Sequence, residues 1–199
     1  YIVIGKYFST QTLGYYTRAE MFKNLPSQNI TTIINNVAYP SLSQIQDDQM
    51  KLKESFIKIL LPSVFITAVL IFGIISLSKP IIIVLLGERW LPAAEILQLL
   101  AFSALLYPAS LFNITIMKIK HRSDLVLKIE IIKKILAVPT ILASIFFGMK
   151  AMIIFIVFNS FIDWGLNSFF AGRMIKYPIK EQVKDIIPAL FVSAFMGFI

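Results

Sequence analysis

Cysteine is absent from the 199 residues, histidine occurs once, and charged side chains make up only 15% of the chain. Without cysteine there are no disulfides and no thiolate metal sites. No His/Cys/Asp cluster has metal-ligand spacing, no glycine-rich loop could cradle phosphate, and no pair of carboxylates is placed for acid–base work. Nothing in the pattern argues for catalysis, so the expectation is a protein that is not an enzyme and carries no metal or cofactor. The single His121, in "KHRSD", reads as an ordinary surface residue of a loop. A soluble domain has about 25% charged and 45–50% apolar residues. This chain is 57% hydrophobic with a mean hydropathy of +0.78, the balance of a membrane protein.

What is present is a series of long apolar runs. Residues 59–78 and 96–117 carry no charge, and 151–172 carry only Asp163. A helix rises about 1.5 Å per residue, so roughly 20 residues cross a hydrocarbon core of about 30 Å. The expected fold is an all-α polytopic membrane protein with spans near 13–41, 59–78, 94–117, 124–148 and 151–172. "YIVI" over 1–5 reads as the end of a helix, and 185–199 as the start of one. Both ends read as cut, which makes the chain a fragment of a longer membrane protein.

The net charge of +8 is unevenly placed. Taking alternate connections, one side collects Lys51, Lys53 and Lys58, then the run from Lys118 to Lys134, then Arg173 to Lys184. The other side has only Lys6, Lys79, Arg89 and Lys150. The positive-inside rule makes the richer side cytoplasmic, and the spans then alternate without a leftover segment. Basic residues in short membrane-flanking loops do not suggest nucleic-acid binding. Residues 79–95, "KPIIIVLLGERWLPAAE", read as an outer connection with an interfacial half-turn that seats Trp90 at headgroup level. Residues 43–55 read as a short cytoplasmic link.

The stretch "LGYYTRAEMFKNLPSQNITTIINN", 13–36, departs from this pattern. On a helical wheel Thr17, Glu20, Asn24, Gln28, Thr31 and Asn35 share one arc, and Arg18, Asn29, Thr32 and Asn36 the next. Ala19, Phe22, Pro26, Ile30, Ile33 and Val37 fill the opposite side, with Met21 and Leu25 breaking the pattern. Lys23 falls outside the polar arcs. A helix lying in the interface would put Lys and Arg on its polar face. Carboxamides and hydroxyls suit a spanning helix that faces a water-filled cavity. A smaller polar stripe, Asn159, Asp163 and Asn167, recurs every fourth residue in 151–172. It reads either as helix–helix glue or, at Asp163, as a carboxylate that takes a proton or pairs with a base such as Arg18. Glu130 with Lys133 and Lys134 reads as a helix pair at the inner face.

Four segments, "IGKYFSTQTLGYYTRAEMFKNLP", "YPSLSQIQDD", "LLGERWLPAAEILQLLA" and "HRSDLVLKIEIIKK", together resemble the C-terminal half of Wzx-type lipopolysaccharide and oligosaccharide flippases. These belong to the multidrug/oligosaccharidyl-lipid/polysaccharide exporter superfamily. The resemblance implies two helical lobes around a central cavity, with this chain forming most of the C-terminal lobe and the polar stretch lining the cavity. It implies alternating-access movement of undecaprenyl-diphosphate-linked oligosaccharide from the inner to the outer leaflet of the bacterial cytoplasmic membrane. Coupling to an H+ or Na+ gradient would drive it without a cofactor. The partners implied are the lipid-linked oligosaccharide, membrane lipids, the N-terminal lobe, and polysaccharide polymerase and assembly proteins. On that basis Arg18 would meet the anionic head group. Asn24, Gln28, Asn29, Asn35 and Asn36 would meet glycan or lumen water, Lys23 is a weaker candidate, and Asp163 is the coupling candidate. Competing expectations are a cation-coupled multidrug exporter, a membrane glycan polymerase or transferase, for which the outer connections are short, and a membrane scaffold that transports nothing.

Overall fold

The computed structural model describes residues 8–198. The helix end expected over 1–5 and the last residue of the final expected span lie outside them. Among the described residues there is no strand; the protein is an all-α membrane protein. Helix α1, Thr10–Ile33, starts where Ser9 Oγ accepts the Thr12 amide at 3.1 Å, which satisfies one of the open N–H groups of the first turn. It runs on through a wide π segment, Ile34–Ala38, into α2, Tyr39–Gln44. Its buried edge is Tyr16, Ala19, Phe22, Pro26 and Ile30, continued by Ile34 and Ala38. Ile33 and Val37, on the apolar side of the wheel, are exposed at 43% and 56%. Ile34 and Ala38 take the packed positions, and the π segment holds more residues per turn than a 100° wheel assumes.

The inner link is shorter than 43–55. Only residues 45–48 separate α2 from α3, Gln49–Ser76, because Asp48 caps α3 by accepting the Lys51 amide at 3.1 Å. That amide holds the Asp48 carboxyl below the usual carboxylate range. The outer connection is more ordered than a half-turn. Helix α4, Ser78–Leu86, ends at Gly87, and a 3-10 turn, Glu88–Trp90, leads into α5, Leu91–Ala101. A second 3-10 turn, Phe102–Ala104, separates α5 from α6, Tyr107–Ile119, which starts with Pro108 in its first turn, where the missing N–H costs nothing.

Helix α7, Ser123–Met174, is a hairpin. Gly148 has φ 82° and ψ −176°, a backbone state open essentially to glycine alone, and the chain reverses there. Asn159 Nδ2 donates to Thr140 Oγ1 at 2.6 Å across the two limbs. Helix α8, Ile179–Phe198, closes the chain against α3. Among the described residues, three segments are long and apolar enough to cross a membrane: Gln49–Ser76, Glu88–Ile119 and Phe146–Met174.

The largest core cluster joins α1, α3, α6, the end of α7 and α8. Phe56 meets Phe112 and Tyr177 edge to face at 6.2 and 6.1 Å. Beside it, buried Asn113 Nδ2 donates to Ser168 Oγ and to Gln182 Oε1, both at 3.0 Å, and Gln182 Nε2 donates to the Tyr177 carbonyl at 3.1 Å. A network of buried polar groups with their partners in place fixes how helices register. Tyr177, in the turn between α7 and α8, donates to Asp185 Oδ2 at 2.6 Å; burial, then that bond, pushes its phenol above the ordinary value. Both turns at this end close in the left-handed backbone region, at His121 (φ 57°) and Lys176 (φ 51°). The six-to-one bonds Arg122 N to Met117 O and Tyr177 N to Gly172 O mark the Schellman geometry of helix ends. A cation just past a helix C-terminus also meets the negative end of its dipole.

Candidate functional site: a polar groove between the first helix and the hairpin

The polar side of α1 faces two adjoining cavities. One, of about 320 Å³, is lined by Lys23, Asn24, Ser27, Gln28 and Thr31 of α1, and by Ser103 and Tyr107 at the α5–α6 joint. The second, of about 310 Å³, is lined by Lys23 and Ser103 again, then by Lys133, Asn159 and Asp163 of α7. Sharing Lys23 and Ser103, the two form one groove from α1 to the hairpin. Thr31 Oγ1 and the Tyr107 hydroxyl, 2.9 Å apart, tie its α1 wall to α6.

Of the residues singled out from the sequence, Asn24, Gln28 and Asp163 line this groove. Asn29 and Gln28 are exposed on α1, Asn35 and Asn36 on the π segment after it, and Asn29 Nδ2 donates to its own helix at Leu25 O, 3.3 Å. Arg18 is exposed, nearer the start of α1, its guanidinium 5.6 Å from the centre of the Trp90 ring. Asp163 therefore does not pair with Arg18. Its partner is Lys133, at 2.7 Å, and it also accepts from Ser110 Oγ at 2.5 Å and Asn167 Nδ2 at 3.0 Å. Lys133 is held a second time by Glu130 at 2.5 Å. The stripe Asn159, Asp163 and Asn167 is helix glue: Asn167 also donates to Ser110 of α6 at 2.7 Å. Asp163 is glue and groove wall at once.

Two cations line the groove, Lys133, which makes the expected helix pair with Glu130, and Lys23, the weaker candidate of α1. Lys133, counted with the inner-face charges, sits ten residues into α7, about 15 Å along the helix. Its signal was positional: Lys133 and Asp163 lie fifteen residues either side of Gly148, the register of a tight hairpin. Lys23, outside the polar arcs of the wheel, lines both cavities. A wheel records direction around one helix and not the neighbour that crosses it, so Lys23, on the flank of α1, is turned polar by the hairpin beside it. The groove thus offers two ammonium groups, one carboxylate and a row of carboxamides and hydroxyls. Such a set can hydrogen-bond a polyol from many directions and attract an anion.

Comparison with known proteins places this arrangement. Residues 1–95 match the sequence profile of the family described as polysaccharide biosynthesis protein. The teichuronic acid biosynthesis protein TuaB of Bacillus subtilis is 23% identical over all of this chain, which covers 41% of TuaB. The lipopolysaccharide biosynthesis protein WzxC of Escherichia coli K12 is 27% identical over 98% of this chain and 39% of its own length. The succinoglycan biosynthesis transport protein ExoT of Rhizobium meliloti is 29% identical over 56% of this chain and 23% of its own length. The chain thus spans about two-fifths or less of the length of these relatives. No solved structure matches. The resemblance carried by the four sequence segments and these matches agree: the chain is similar to proteins of polysaccharide biosynthesis and transport.

Proposed function

We propose that this chain is the groove-bearing part of a carrier that moves undecaprenyl-diphosphate-linked oligosaccharide from the inner to the outer leaflet of the bacterial cytoplasmic membrane by alternating access. The observation that carries the reading is the groove itself. Lys23, Asn24, Gln28 and Thr31 sit in the middle third of the continuous helical run from Thr10 to Gln44, where an unsheltered ammonium would be expensive. A hydrated path for the glycan and diphosphate, with the lipid tail left in the bilayer, makes such residues useful there. Carboxamides both donate and accept, and cations favour the diphosphate. Lys23, inside the groove, is its first candidate contact, and Arg18, which faces Trp90 five residues nearer the start of α1, is the second. A second lobe facing the groove would complete the cavity, and Asp163 would sense a proton or sodium gradient through its hold on Lys133.

The test is a leaflet-crossing assay with the full-length protein in proteoliposomes and a labelled undecaprenyl-diphosphate oligosaccharide. A charge-assisted hydrogen bond contributes about 1.5–3 kcal/mol, so Arg18→Ala and Lys23→Ala should each weaken apparent affinity by about 10- to 100-fold. Unchanged transport in both variants removes the cationic role. No movement by folded wild type, across several glycans and imposed ion gradients, removes the flippase reading. The multidrug-exporter reading has one observation in its favour, a carboxylate at membrane depth. It is weaker because Asp163 already holds Lys133, Ser110 and Asn167, leaving less charge for a cationic drug.

A further inference from the structure

A third cavity lies apart from the groove, at the end of the bundle remote from the basic turns. It measures about 310 Å³ and is lined by Thr10, Gln11, Gly14 and Tyr15 of α1 and by Arg89 and Trp90 of the 3-10 turn. Its aromatic ring is held on several sides. Tyr15 meets Trp90 edge-on, with centroids 5.8 Å apart and planes at 83°. Tyr15 is itself fixed, its hydroxyl accepting from Gln11 Nε2 at 2.6 Å and donating to the Arg89 carbonyl at 3.3 Å. The Arg18 guanidinium stands over the indole. Gly14 has no side chain, so the indole has only the α1 backbone at that position; a Cβ there would touch it at 3.7 Å. A tryptophan that merely anchors a protein at the membrane interface needs an amphipathic ring and no such bracing.

A braced indole beside hydroxyl, carboxamide and guanidinium groups is the chemistry that recognises a pyranose. The C–H face of a sugar stacks on an aromatic ring, its hydroxyls exchange hydrogen bonds with Thr and Gln side chains, and an arginine fork takes a carboxylate bidentately. The volume suits one sugar ring, not a chain. We infer that Trp90, Gln11, Thr10 and Arg89 form a second glycan subsite, selective for a sugar that bears a carboxylate. This rests on the flippase reading above, in whose orientation the subsite stands at the outer mouth. It receives the glycan end of a substrate whose head group is held farther along α1: Tyr15 and Asn24 are nine residues apart, about 14 Å along the helix axis.

This chain has two tryptophans, so Trp164 and every tryptophan outside this chain are replaced by Phe, which leaves Trp90 as the sole reporter. Full-length protein in nanodiscs is titrated with soluble tri-galacturonate and with maltotriose, and Trp90 emission is recorded. Tri-galacturonate should give a saturable change with an apparent affinity about 10-fold above that for maltotriose. Arg89→Gln should erase that preference and leave the maltotriose response in place. No saturable change with either sugar overturns the inference, as does an acid preference that survives Arg89→Gln. Quenching by brominated lipids without any response to sugar also overturns it, in favour of an interfacial anchor. The leaflet-crossing assay separates the two readings: transport by wild type with a sugar-blind Trp90 sinks this subsite alone, and no transport sinks the flippase reading whatever Trp90 does.

Discussion

Gly172 is the residue whose replacement by alanine should damage the protein most for a single added carbon. A Cβ there would lie 2.4 Å from the Tyr177 carbonyl oxygen, 3.2 Å from its carbon and 3.3 Å from Gln182 Nε2. The obstacle is backbone, so no flexible side chain can step aside. The turn must open by about 1 Å to restore ordinary carbon–oxygen contact. Overpacking of this kind costs about 1–3 kcal/mol. Opening the turn also strains the Tyr177 N to Gly172 O bond and the Gln182 Nε2 bond to the same Tyr177 carbonyl. Each is worth about 1 kcal/mol net, and more where a buried amide is left unpaired. The sum is about 3–5 kcal/mol. For a chain of this size each kcal/mol moves the melting temperature by about 2–4 °C, so Gly172→Ala should melt about 6–20 °C below wild type in detergent. Gly165 is the control. It lies inside the same helix limb with nothing within 4 Å of its Cβ position, so Gly165→Ala should hold or raise the melting temperature. A Gly172→Ala protein that melts with wild type would refute the close-approach argument.

The other predictions concern the hairpin. Gly148→Ala meets no neighbour within 4 Å, so its cost comes from backbone strain alone, about 1–3 kcal/mol. It should lower the melting temperature by a few degrees, and Gly148→Asn should be no better, because φ 82° with ψ −176° lies outside the left-handed helical well that asparagine tolerates. For the Lys133–Asp163 pair, with about a quarter of each side chain exposed, a double-mutant cycle of Lys133→Met and Asp163→Asn should give a coupling of about 1–2 kcal/mol in thermal or denaturant unfolding. That is below a fully buried pair, because solvent and Glu130 share the load. A coupling near zero would mean that the ion pair does not hold the two limbs together.

The sequence made the helical class, the membrane character and the polar face of α1 readable, because each depends on composition or on period within a single segment. Asn24 and Gln28 were found in that way. Lys23 was only a weak candidate and Lys133 was expected only to pair with Glu130, which it does; a one-helix wheel does not show the hairpin that brings both to one groove. Trp90 was read as an interfacial ring; its bracing by Tyr15 and Arg18 comes from residues more than seventy positions away.

The reversal at Gly148 also governs how the hairpin can move. Its two limbs are joined with almost no slack and are pinned together at Thr140–Asn159 and Lys133–Asp163. Any load applied to Lys133 from the groove is therefore shared at once by the limb that carries Asp163, and through Ser110 by α6. The hairpin behaves as a stiff lever with its fulcrum at one glycine. An anion that drew Lys133 away would leave the Thr140–Asn159 bond to hold the limbs and the Ser110 bond to hold Asp163 to α6.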